Sequence, residues 1–213
     1  MIDFAGVIKA QIPEGTVKKI EIGGQQAWND DRWEIDWKWN GSLPSSSEWT
    51  YPVGSGTVTN AASQKAILLS SEGYDEKAGI YPKAGTFTPS NRCIFEAEIK
   101  VTRAFHRERG VHIGVSNAAG VSGLLAYIYE DPEADIYVIV ARNGGFKNTT
   151  GDQWHTVRLE LDTVNKSNRV YIDDVLVSSL GNGSLEANEI SAPYLNTTVA
   201  DCYVRAMRYK VIK

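Results

Sequence analysis

A chain of 213 residues with 42% hydrophobic residues and a net charge of -4 has enough apolar side chains for one large core and too many for a disordered polymer. It carries no basic field to draw nucleic acid, and no run of about 18 apolar residues that would span a membrane. Its first ten residues lack a basic start followed by a long apolar run, so they do not read as a secretory signal.

The first 28 residues differ from the rest. Pro13-Glu14-Gly15 is a turn, Val17 to Ile22 an extended run, Gly23-Gly24 a second turn and Gln25 to Trp28 a second run. This pattern predicts a β-hairpin. A hairpin of that length is not stable alone in water and must dock on something. Residues 1–28 are therefore expected to be an attachment segment, with Val17, Ile20, Ile22 and Trp28 as its contact residues; an extra edge hairpin of the main domain is the other reading. The main domain is expected over residues 29–213.

From Asp30 to Asn40 the chain alternates, with Trp33, Ile35, Trp37 and Trp39 on one face and Glu34, Asp36 and Lys38 on the other. Stacked indoles suit a flat sugar face, but rings of this size more readily fill the layer between two sheets. Short extended runs follow at Trp49–Thr59, Ala66–Ser70 and Gly79–Tyr81, separated by polar turns. Cys93 to Val101 reads as a strand with Phe95, Ala97, Ile99 and Val101 inward and Glu96, Glu98 and Lys100 outward. Val111, Ile113 and Val115 alternate with His112 and Gly114, and Leu124–Tyr129 with Ile136–Arg142 form a further pair.

Gln153 to Ser179 carries the clearest pattern. Val157, Leu159 and Leu161 alternate with polar residues, Val170 and Ile172 repeat the period, and Asp173-Asp174 reverses the chain before Val175. A last run from Cys202 to Ile212 is extended, but Arg205 and Arg208 fall three apart and blur its facing. One short helical turn is expected over 185–190. Three or more antiparallel strands with one apolar face need a second sheet to cover them.

The runs Trp154-His-Thr-Val, Val170-Tyr-Ile-Asp-Asp-Val and Phe95-Glu-Ala-Glu-Ile-Lys resemble the concanavalin A-like jelly roll, the sandwich of legume lectins, laminin G-type modules and several glucanases. The resemblance covers roughly residues 28–213. It implies an all-β fold, a two-sheet antiparallel jelly-roll sandwich with a short amino-terminal hairpin. It does not fix function, because that fold hosts sugar binding, hydrolysis and structural roles. A large core needs no staple, so Cys93 and Cys202 read as two reduced thiols. The resemblance places their strands side by side, which leaves a Cys93–Cys202 bridge open. Five Asn-x-Ser/Thr triplets, at Asn40, Asn148, Asn165, Asn182 and Asn196, read as turn-rich composition.

A second resemblance is confined to the start. Val17-Lys-Lys-Ile-Glu-Ile-Gly-Gly-Gln-Gln-Ala-Trp28 is similar to the small modules that begin many tailed-phage virion proteins. It implies a virion protein assembled in the host cytoplasm, with other virion proteins and further copies of itself as partners.

Catalytic chemistry is poorly provided for. A glycosidase needs two carboxyl groups flanking the scissile bond. Glucanases of this fold take theirs from one strand as Glu-x-Asp-x-x-Glu; Glu34 and Asp36 are followed by Lys38 and Trp39 instead. Glu96 and Glu98 are a second same-face pair, of a kind common on wet strand faces. There is no Gly-x-Ser-x-Gly, and His106, His112 and His155 stand in no triad context. The loop Glu130-Asp-Pro-Glu-Ala-Asp135 concentrates four acids. Asp131, Glu133 and Asp135 are candidate calcium ligands, although a solvated hairpin turn is the default reading. No other cofactor is expected.

These readings combine into one expectation: a non-enzymatic virion structural or adhesion protein whose lectin-like domain binds a bacterial surface polysaccharide. His112, Tyr127, Tyr129, Tyr137 and Arg142 are the candidate sugar-binding residues. A free carbohydrate-binding module or a glycoside hydrolase of the same fold is the alternative.

Overall fold

Period-two alternation becomes strand along most of the chain, because a strand sends successive side chains to opposite faces. The computed structural model describes residues 19–22, 25–29, 33–51, 54–73, 76–88, 90–104, 110–116, 123–131, 136–141, 146–149, 151–165, 167–180 and 192–212. The chain divides into two units, Met1–Arg32 and Trp33–Lys213. In the first, β1 (Lys19–Ile22) and β2 (Gln25–Asn29) pair antiparallel as the expected hairpin, with Ile20 opposite Trp28 and Ile22 opposite Gln25. Val17 lies outside the described residues, as does the turn expected over 185–190.

The second unit continues with β3 (Ile35–Lys38), β4 (Trp49–Thr50), β5 (Thr57–Ala61), β6 (Ala66–Ser70), β7 (Ala78–Pro82) and β8 (Arg92–Ala104). Then come β9 (Val111–Ser116), β10 (Gly123–Asp131), β11 (Ile136–Ala141), β12 (Phe146–Thr149) and β13 (Trp154–Asp162). The chain ends in β14 (Asn168–Ile172), β15 (Val175–Leu180), β16 (Ala192–Thr197) and β17 (Ala200–Val211). One sheet has seven strands in the order β12-β11-β10-β9-β16-β7-β4. The other has eight: β15-β14-β13-β8-β17-β6-β5, with β3 also paired to β17. All pairings are antiparallel. Successive strands β8 and β9, and again β16 and β17, belong to opposite sheets, so the chain wraps around the sandwich rather than completing one sheet first.

The core lies between the sheets. Phe95, Ala97 and Ile99 of β8, Val157, Leu159 and Leu161 of β13, Val170 and Ile172 of β14, and Val204, Met207 and Tyr209 of β17 come from one side. Ile80, Val111, Ile113, Val115, Ala126, Ile128 and Leu195 meet them from the other. Each fully buried aliphatic side chain contributes roughly 1.5–3 kcal/mol. Tyr209 closes one end, edge-on to Phe87 at 5.6 Å and donating its hydroxyl to the Thr88 carbonyl at 2.9 Å. The tryptophan run is core only in part: Ile35 is buried, Trp37 and Trp39 pack against the core, and Trp37 meets Trp49 edge-on at 6.5 Å, while Trp33 lies under the Arg208 guanidinium.

The turn at Asp173-Asp174 has positive φ at both residues, 51° and 62°. That is the signature of a two-residue I′ hairpin, whose twist matches the flanking strands.

The bridge between Cys93 and Cys202 does not form; both thiols are free and buried. Their strands are indeed neighbours, but antiparallel, so the two strand heads lie at opposite ends. Cys93 pairs with Val211 and Cys202 with Val101. The offset, ~30 Å along the strand, far exceeds the ~7 Å between Cα atoms that a disulfide tolerates.

Candidate functional site

The outer face of the seven-stranded sheet carries the candidate site. Its inner row on β9 is Val111, Ile113 and Val115, so His112 and Gly114 point away from the core. Cross-strand register carries that parity to the neighbours. His112 pairs with Tyr127 on one side and with Asn196 on the other, and Asn196 pairs in turn with Gly79. A row Gly79–Asn196–His112–Tyr127 therefore crosses four strands. The adjacent row sets Tyr194 opposite Gly114.

Two glycines let the aromatic rings lie along the sheet. A Cβ on Gly114 would stand 2.7 Å from ring atoms of Tyr194, and a Cβ on Gly79 would stand 2.6 Å from the Tyr81 ring. Tyr81 and Tyr194 stack with centroids 5.9 Å apart and planes 12° from parallel. The Asn196 amide donates to the Tyr81 hydroxyl at 3.2 Å. His112 meets Tyr127 edge-on at 4.8 Å. These side chains form a half-buried aromatic floor with amide and imidazole groups set into it.

Burial, with a smaller effect from the Lys77 charge, depresses the His112 pKa to about 4. The ring is neutral at pH 7, and its Nε2 is enclosed without a hydrogen-bond partner among the described residues. An enclosed unpaired nitrogen costs about 1–3 kcal/mol.

Of the residues expected here, His112, Tyr127 and Tyr129 stand on this outer face, all half-buried. The register pairs Tyr137 with Glu130 rather than with Tyr127 or Tyr129, and its side chain lies outside the described residues, as does all of Arg142. Asp131 ends β10; its side chain, and all of Glu133 and Asp135, also lie outside the description. Among the described residues no group of three or more His, Cys, Asp or Glu side chains is placed to hold a metal ion.

Tyr81, Tyr194 and Asn196 were not expected. The segment around β16 contains Pro193, which argues against an interior strand. Pro193 is tolerated because β7 reaches only Leu195 to Thr197, so β16 has a partner on one side alone at that point. The alternations Gly79-Ile80-Tyr81 and Tyr194-Leu195-Asn196 were the available signal.

The outer face of the eight-stranded sheet holds the acids that a hydrolase reading would need. Glu96 accepts from Arg208 and Glu98 from Arg205. The Arg205 hydrogen bond outweighs burial and holds the Glu98 carboxyl below its ordinary range. A carboxyl so held does not keep the proton that a general acid delivers. Glu34 instead accepts the Thr88 backbone N–H at 2.5 Å. Near the β14–β15 turn, His155 lies 2.5 Å from the Thr149 hydroxyl and 2.9 Å from the Asp173 carboxylate. That is a hydroxyl–imidazole–carboxylate chain, and Asp173 also accepts the Thr156 N–H at 3.0 Å.

No family model and no curated protein matches the chain. Solved structures do. A sialidase superposes with a TM-score of 0.63 at 13% identity over 84% of this chain, which spans 18% of the sialidase chain. The potassium-bound carbohydrate recognition domain of Emp46p gives 0.60 at 11% identity, covering 84% of this chain and 98% of that one. Carbohydrate binding module CBM66 from Bacillus subtilis gives 0.51 at 17% identity, covering 76% and 95%. At these identities the likeness defines the fold: Trp33–Lys213 is a concanavalin A-like jelly-roll sandwich.

Proposed function

We propose that Trp33–Lys213 is a carbohydrate-binding, lectin-like module that seats a neutral sugar on the outer face of its seven-stranded sheet. The observation that carries this is the pair Tyr81 and Tyr194, stacked and laid flat over Gly79 and Gly114. Nothing in the core requires rings there, and a flat aromatic floor suits the apolar face of a pyranose. Asn196, half-buried beside the stacked rings, adds a polar group that orients sugar hydroxyls. Two of the similar structures are described as carbohydrate-recognising domains, which supports the reading. A shallow site gives weak binding, so display in several copies is needed for avidity.

The test is a glycan array probed with a tetramerised sample. The reading expects hits among neutral glycans that fall about tenfold or more when Tyr81 and Tyr194 are both changed to Ala. No hits, or hits that survive the change, contradict it.

The narrower placement on a virion, with other virion proteins and further copies of the chain as partners, rests on the motif at 17–28. Deleting residues 1–28 tests it: assembly with copies of itself should be lost while glycan binding stays.

A hydrolytic reading has the Thr149–His155–Asp173 chain behind it. It stands second because the three residues tie the ends of β12, β13 and the β14–β15 turn together, which is a structural role in itself. Cleavage of a sugar ester by the wild type and not by His155→Ala would reverse that order.

A further inference from the structure

A groove of about 560 Å³ opens on the outer face of the eight-stranded sheet, across the sandwich from the tyrosine floor. It forms where β17 changes neighbours. The first half of β17 pairs with β6, from Asp201 to Val204, and the second half with β3, from Ala206 to Tyr209. Between them the register to β8 shifts at Arg205. A bulge of this kind re-aims side chains, and it puts Arg205, Ala206 and Arg208 all on the groove side. Lys38 and Trp39 enter from the end of β3, Lys65 from the turn before β6, and Glu96 and Glu98 from β8.

The charge balance of the groove is opposite to that of the chain. Lys38, Lys65, Arg205 and Arg208 face Glu96 and Glu98, while the whole chain carries -4. Each arginine gives one nitrogen to its glutamate. Its plane is steadied by an indole, Arg205 over Trp154 at 4.2 Å and Arg208 over Trp33 at 5.0 Å. A guanidinium has five N–H donors, so both keep donors for a ligand. The Lys38 and Lys65 side chains are exposed and their ammonium groups make no hydrogen bond or ion pair among the described residues, although the Lys38 charge is felt by Glu98. Trp39, half-buried with its Nε1 donating to Asn60 Oδ1 at 2.9 Å, gives the groove an apolar wall.

We propose that this groove is a second binding site, for a carboxylate-bearing sugar chain of the polyuronate type. The two free lysines and the spare guanidinium donors take the carboxylates. The Trp39 indole takes a pyranose face, and the two glutamates accept ring hydroxyls. Those glutamates favour a sugar over an acidic peptide, which brings the same negative charge without a hydroxyl on every unit. The site uses neither Tyr81, Tyr194 nor His112, so it stands or falls apart from the tyrosine floor.

The experiment titrates the full chain with polygalacturonate, with its fully methyl-esterified form and with polyglutamate. A chain carrying Lys38→Gln and Lys65→Asn is titrated alongside. Lys65 has a φ of 51°, which Asn tolerates, and an unchanged unfolding midpoint confirms that the variant folds. The proposal expects polygalacturonate to bind, to weaken as salt is raised to about 0.5 M, and to bind the double variant about tenfold or more weakly. The methyl ester and polyglutamate should each bind about tenfold or more weakly than polygalacturonate. No binding of polygalacturonate overturns the proposal, as does equal binding of either comparison polymer or an unaffected double variant.

Discussion

Tyr194 lies flat against Gly114, with three ring and hydroxyl atoms 2.7 Å from where a Cβ would stand. The glycine is thus part of the floor that the ring forms. Gly114→Ala should push the ring off the sheet and cost about 1–3 kcal/mol in denaturant unfolding. Adding Tyr194→Ala should remove most of that cost, since the clash is then gone. Additive costs in the double-mutant cycle would show that the two residues do not act as a pair.

His112 sets a pH window. Its ordinary value of 6.5 falls to about 4 in the folded chain, chiefly through burial. The unfolded chain therefore takes up a proton that the folded chain refuses. The resulting stability is fully present above pH 6.5 and is lost as pH falls towards 4, by up to about 3 kcal/mol. Urea unfolding at intervals across that window should show the decline, and His112→Gln should flatten it.

Arg103 and Asp201 make a two-point contact, at 2.8 and 3.0 Å, and Ser70 donates to the same carboxylate at 2.5 Å. Burial lifts the Asp201 pKa, but the Arg103 and Ser70 hydrogen bonds outweigh it and the net direction is down. Asp201→Ala leaves the half-buried Arg103 without its carboxylate and with only the Ser71 carbonyl, 3.2 Å from its guanidinium, as acceptor, and should cost about 1–3 kcal/mol. Asp174, whose side chain is 85% exposed where it meets Arg158, should cost under about 1 kcal/mol when changed to Ala. Comparison of the two variants by thermal unfolding checks the ranking.

Burial pushes the Cys93 thiol up to about 12 and the Cys202 thiol up as well. Neither offers a reactive thiolate at neutral pH. Ellman's reagent should leave both untouched in the native chain and release two equivalents once the chain is unfolded without reductant. Zero equivalents on unfolding would mean a disulfide, contrary to the register of β8 and β17.

The strands with strict alternation were legible. Val157, Leu159 and Leu161, and Phe95, Ala97 and Ile99, face the core as their spacing dictates. The Asp173-Asp174 reversal was legible because few residue pairs tolerate two positive φ angles in succession. Arg205 and Arg208 could not be given a common face by a period of two; the bulge at Arg205 supplies the missing residue of offset. The site was half legible. His112 and Tyr127 follow from alternation within β9 and β10. Tyr194 and Asn196 depend on β16 being inserted between β9 and β7, a long-range pairing that no local period encodes, and Pro193 masked the strand.

The most direct measurement is a titration of the chain, with its tyrosine rings isotopically labelled, by neutral oligosaccharides up to about 10 mM, beyond the ~1 mM range of a shallow single site. Ring signals of Tyr81, Tyr127 and Tyr194 should shift together and saturate. Signals that stay fixed, or shifts confined to Tyr171 and Tyr203 on the other sheet, would contradict a sugar site on the tyrosine floor.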